Sequence, residues 1–153
     1  MLPHVRAHYR RLSVDALLGS VLDHYRALWP TVEALIRETI DTPGTKPLVL
    51  EGSALLPSSV ARLGRGAVGA IWLVADDQTI AARIHAQSGY SGLAPERRAL
   101  VETFVALAQR VNALVVHDVA QMNLPHLAVD GTSAVTSFAD MCWLRMRPMP
   151  SHL

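Results

Sequence analysis

The stretch Pro47-Leu48-Val49-Leu50-Glu51-Gly52 constrains the fold more than any other part of the chain. An apolar run without helical period, bounded by Pro43-Gly44 before and Gly52 after, predicts a buried parallel strand with one carboxylate at its C-terminal end. Open α/β sheets keep their chemistry at that end. A carboxylate there costs free energy to bury unless it is paired or binds a cation, so Glu51 points to a Mg²⁺-phosphate site beside the sheet. No G-x-x-x-x-G-K-[ST] loop accompanies it anywhere in the 153 residues.

The remaining elements alternate. Ser13 is placed to cap a helix whose positions Val14, Leu17, Leu18, Val21, Tyr25 and Leu28 follow the 3.6-residue period, with Asp15 in the first turn. Pro30 is expected to interrupt or kink it before a segment running to Ile40. A turn-rich stretch around Pro57 leads to a short helical piece near Val60 to Leu63, and Ala70 to Val74 reads as the second strand. Asp76 and Asp77 open a helix through Ile84, which gives way to a mobile-looking loop from Ser88 to Gly92. A long helix from Pro95 carries Leu100, Phe104, Leu107, Val111, Leu114 and Val115 on its apolar stripe and closes near Asn123. Leu127 to Val129 is the third strand, and Ser133 caps a last helix through Cys142. The order α-β-α-β-α-β-α predicts an α/β fold, a three-layer parallel sheet with flanking helices, in a single domain over residues 1–153.

Composition narrows the partners. Fourteen basic against thirteen acidic residues, with no Lys/Arg block, do not support a nucleic-acid footprint. A lone cysteine, Cys142, excludes an intramolecular disulfide framework and fits a reducing compartment. Uninterrupted apolar runs fall short of a membrane span and no signal-peptide core stands at the N-terminus, so the expectation is a cytoplasmic protein without a membrane partner.

Several motifs read as coincidence. Gly64 to Gly69 spells G-x-G-x-x-G but precedes a strand, whereas a dinucleotide fingerprint follows one and opens a helix. Gly44-Thr45-Lys46 lacks the upstream glycine and runs into Pro47. His117-Asp118 has no further ligands at workable spacing. Ser53 lacks the G-x-S-x-G elbow, and Trp29, Trp72 and Trp143 are dispersed as core or interface anchors.

With these elements set out, the chain resembles the P-loop small-molecule kinases, especially relatives of 2-phosphoglycerate kinase, over about Leu12 to Cys142. The resemblance rests on Leu48-Val49-Leu50-Glu51-Gly52 as a Walker B-like strand and on Ile71 to Val74 followed by the Asp77 to Arg83 helix. It implies that Glu51 organises Mg²⁺ around ATP and that Arg83, on a lid helix, reaches the transferring phosphoryl group. It also implies that Asp130, Gly131 and Thr132 lie near the adenine and that residues 84–98 form a lid-like mobile segment. Gln87 stands where many members carry a second lid arginine. The phosphate loop and its central strand, which would lie between the strands at Leu48 and Ala70, have no counterpart here, and a homodimer or partner segment is expected to fill the slot.

Two functions follow from this reading. One is an ATP-dependent phosphotransferase acting on a small metabolite, expected to be inactive as this chain because phosphoryl transfer depends on the missing cradle. The other is a non-catalytic binding module or remnant.

Overall fold

The Ser13 hydroxyl accepts the Ala16 N–H at 3.2 Å and so starts helix α1 (Val14–Asp41), as its position predicts. The computed structural model describes residues 9–64, 68–130 and 135–148. Helix α1 continues through Pro30 for 28 residues, where the sequence suggested an interruption. Pro30 is exposed, so water can satisfy the carbonyl that loses its intrahelical donor.

The chain then forms the short helix α2 (Pro57–Val60), a 3₁₀ turn (Ala61–Leu63), strands β1 (Gly69–Ala70) and β2 (Trp72–Val74), and helix α3 (Asp77–Ser88). A second 3₁₀ turn (Tyr90–Gly92) leads into α4 (Pro95–Gln121), followed by β3 (His126–Ala128), α5 (Val135–Arg145) and β4 (Arg147–Pro148). The cap expected at Ser133 lies outside the described residues.

The strands make two separate pairs. Strands β2 and β3 are parallel, with Trp72, Leu73 and Val74 opposite His126, Leu127 and Ala128. Strands β1 and β4 are antiparallel, with Gly69 opposite Pro148. Among the described residues the three-layer parallel sheet is therefore absent: the strands form only these two short pairs, and the helices carry the core.

The correction turns on the stretch from Leu48 to Glu51, which is irregular, with Val49 79% exposed. With no central strand between it and β2, the segment could join the sheet only by pairing directly with β2, and the end of that edge is taken. The Val74 carbonyl accepts the Val129 N–H at 2.7 Å, so the Ala75 N–H, on the opposite side of the same peptide, faces away from β3. There the Asn112 side chain bonds both the N–H and the carbonyl of Ala75, where a neighbouring strand would stand. Pro47, lacking an N–H, further weakens strand pairing by the segment it begins.

Helix α4 meets α1, α2, α3 and β2, so its buried residues come from several faces. Leu100 and Leu107 are buried as the period predicts, but Val105 and Val119 are buried with them and Phe104 is 42% exposed. The main cluster joins Val60, Ala61, Leu63, Trp72, Val119 and Leu124. Trp72 is 8% exposed, and its Nε1–H donates to the Leu55 carbonyl at 2.9 Å, which satisfies its one polar atom. By length and composition alone α4 could cross a membrane, yet Gln109 and Asn112 along it bond the backbone of Asp77 and Ala75.

The turn from α3 to α4 lies in the segment expected to act as a lid. Gly89, at φ 63°, ends α3 in the left-handed region that favours glycine. Arg98 donates to the carbonyls of Leu93 at 2.9 Å and Ser91 at 2.6 Å, and its guanidinium lies 5.5 Å from the Tyr90 ring centre. The His85 ring stacks against Tyr90 at 4.2 Å, and its Nε2 is 3.0 Å from Glu102 on α4.

Candidate functional site

The end of β2 passes directly into α3. Asp76 caps that helix, its Oδ1 accepting the Thr79 N–H at 2.6 Å. The Thr79 backbone bond, reinforced by the Thr79 side chain, holds the Asp76 carboxyl below its ordinary pKa, against a small opposing effect of desolvation. Because the helical period brings positions 78, 79, 82, 83 and 86 to one face, α3 presents Gln78, Thr79, Ala82, Arg83 and Ala86 together. Asp130 follows β3, and the parallel register brings it level with the carboxyl end of β2, across from that face. These six residues line a shallow groove of about 430 Å³.

Of the residues singled out from the sequence, the structure brings Arg83 and Asp130 together here. Arg83 is exposed and makes no hydrogen bond or ion pair among the described residues. Asp130 is exposed and already has a contact of its own. Gly131 and Thr132 lie outside the described residues. Glu51 does not line the groove: it is exposed on the irregular segment before α2. Gln78 and Thr79 were not singled out from the sequence, although counting back four residues along the helix from Arg83 gives Thr79, and from Ala82 gives Gln78.

The donor set does not fit Mg²⁺. Among the described residues no group of three His, Cys, Asp or Glu side chains comes together, and one exposed carboxylate is far short of the oxygen-rich shell this ion needs. Nor does the Pro43 to Lys46 stretch open a helix that could cradle a phosphate; it follows the end of α1 and leads into irregular chain. His117 is exposed and Asp118 half-buried on α4, consistent with a helix-surface role for the pair.

A second cavity, of about 560 Å³, lies where residues Tyr9 to Leu12 meet the start of α4. Its two charged residues, Arg10 and Glu96, pair with each other at 3.0 Å, which leaves it little unspent charge for a ligand. Burial, with a smaller contribution from Tyr25, raises the Tyr9 hydroxyl above its ordinary pKa.

Compared with known proteins, the chain matches no family model, no curated protein and no solved structure.

Proposed function

We propose that the chain is a non-catalytic small-molecule-binding module whose ligand occupies the groove between α3 and Asp130. The observation that carries this reading is the Arg83 guanidinium, without a protein partner among the described residues, in a groove at the carboxyl ends of two parallel strands. Ligands of α/β units favour that end, and polar side chains converging on a concavity are the usual mark of a binding site. Phosphoryl transfer is the weaker reading, because its carboxylate, Glu51, is not in the groove with Arg83.

The test is a ¹⁵N-resolved NMR titration with a broad set of small charged and neutral molecules. Shifts clustered at Gln78, Thr79, Arg83, Ala86 and Asp130 are expected. A set that moves only other residues, or none, defeats the groove. ATP turnover that survives repurification and is lost in Glu51→Gln would restore the phosphotransferase instead.

A second reading, a protein-docking surface, is favoured by Trp143 and Leu144 near the end of α5, 71% and 83% exposed. Tryptophan is enriched among the residues that anchor interfaces. Light scattering that gives a concentration-independent monomer mass would remove the homodimer form of this reading.

A further inference from the structure

We infer that His85 and Glu102 form a proton-controlled clasp that tightens the turn between α3 and α4 when His85 is charged, a device independent of the groove. His85 lies in the last turn of α3, and its Nε2 is 3.0 Å from Glu102 Oε1 on α4. Histidine is the side chain that ordinarily gains or loses its charge between about pH 5 and 8. When protonated, it brings a full charge to that hydrogen bond and meets the negative end of the α3 dipole. When neutral, it keeps one N–H at most for Glu102. The attraction is therefore present on the acid side of neutrality and is lost as the pH rises.

The clasp reaches the turn through Tyr90. Its ring stacks on His85 with centroids 4.2 Å apart, and its hydroxyl bonds the same Glu102 carboxylate, the main reason its pKa lies above the ordinary 10.0. Glu102 thus holds both the end of α3 and the 3₁₀ turn (Tyr90–Gly92) against α4. Arg98, also on α4, donates to the Ser91 and Leu93 carbonyls and lies 5.5 Å from the Tyr90 ring centre. The charged and titratable groups packed at this junction are therefore Glu102, which attracts a positive charge on His85, Arg98, which repels it, and Tyr90, which is neutral in this range. The His85 and Glu102 side chains are 33% and 48% exposed, so water and salt keep the attraction modest.

The experiment follows amide exchange with water by NMR, on the full chain at low salt, at about pH 5.5 and about pH 8. The reporters are the Gly92 and Leu93 N–H groups, which donate to the Gly89 and Tyr90 carbonyls at 3.0 and 3.1 Å. The Leu124 N–H, on the Val119 carbonyl at 2.9 Å, is the internal reference. After correction for the intrinsic effect of pH on exchange, protection of both reporters relative to Leu124 should be about threefold higher at the acid pH. His85→Gln and Glu102→Gln each remove one charge and should abolish that difference. Salt at about 1 M should shrink it in the parent, a comparison that needs no substitution. Equal protection at the two pH values in the parent overturns the clasp. So does a difference that persists in either variant or that salt leaves unchanged, because a group other than this pair would then be responsible.

Discussion

Asn112 and Ala75 exchange two hydrogen bonds, the Asn112 Nδ2 donating to the Ala75 carbonyl at 2.8 Å and its Oδ1 accepting the Ala75 N–H at 3.2 Å. A carboxamide has the donor and acceptor pattern of a peptide group, so this side chain does for one residue what a further strand would do for several. It satisfies the backbone at the end of β2 and occupies the edge that a larger sheet would need. The same contact fixes α4 against the β2–α3 junction, which positions the face of α3 that bears Arg83.

Replacing Asn112 with Ala leaves the backbone N–H and carbonyl of half-buried Ala75 without that partner. The expected cost is about 2 kcal/mol, short of the full penalty for two groups because Ala75 is not wholly shielded from water. For a chain of this size that corresponds to a drop of roughly 4–8 °C in thermal midpoint. Thermal unfolding followed by circular dichroism measures it. A midpoint within a degree of the parent would mean that water replaces the carboxamide at no cost and that the edge is not held by this pair.

Much of the local structure was legible, and the reason it did not add up to the predicted fold is visible in the same residues. Ser13 and Asp76 cap the helices they were expected to start, or to stand beside, because an N-cap bond spans only three residues. The strands at Trp72 and His126 occur close to the predicted places and pair in parallel. Leu48 to Leu50 has the composition of a strand, but a strand needs an edge, and only the packing of α4 determines that Asn112 takes the one beside β2. Periodicity likewise treats α4 as a helix with one buried stripe; contacts on several sides bury Val105 and leave Phe104 at the surface. At the site, Arg83 and Asp130 were found through a resemblance whose fold is absent, whereas Thr79 follows from helical spacing alone.

Trp72 joins β2 to the main cluster and to the chain before α2 through one polar contact. Trp72→Phe keeps most of the apolar area and loses the bond to the Leu55 carbonyl, an expected loss of about 1 kcal/mol. Trp72→Ala also opens a cavity and should cost about 3–5 kcal/mol. Urea unfolding of the two variants separates these contributions. Equal losses would place the whole value of Trp72 in the hydrogen bond and none in packing.

Gly89 ends α3 with a backbone conformation that other residues adopt at a cost. No atom lies within 4 Å of where a Cβ would be added, so Gly89→Ala meets no clash and its penalty is conformational. That penalty is about 1 kcal/mol, and Gly89→Asn should recover part of it because asparagine tolerates the left-handed region. Chemical denaturation of the three proteins gives the ranking Gly, then Asn, then Ala. Alanine matching glycine would show that the turn can reach another conformation without strain.

The Asp76 cap predicts an acid-sensitive end to α3. Its folded pKa lies below the ordinary 3.8, mainly through the Thr79 backbone bond, so the unfolded chain takes up this proton first as the pH falls. The contribution is therefore present above 3.8 and is lost as the pH drops from there through the lower folded value. Asp76→Asn keeps an acceptor for the Thr79 N–H but cannot titrate, so it should remove this part of the acid limb. Stability measured against pH from 2 to 6 for parent and variant is the test. The curves should converge toward the acid end and separate above about pH 4, with the parent higher because the charged cap also favours the positive end of the helix dipole. Parallel curves across the range would show that Asp76 holds α3 by geometry alone and that its charge contributes nothing.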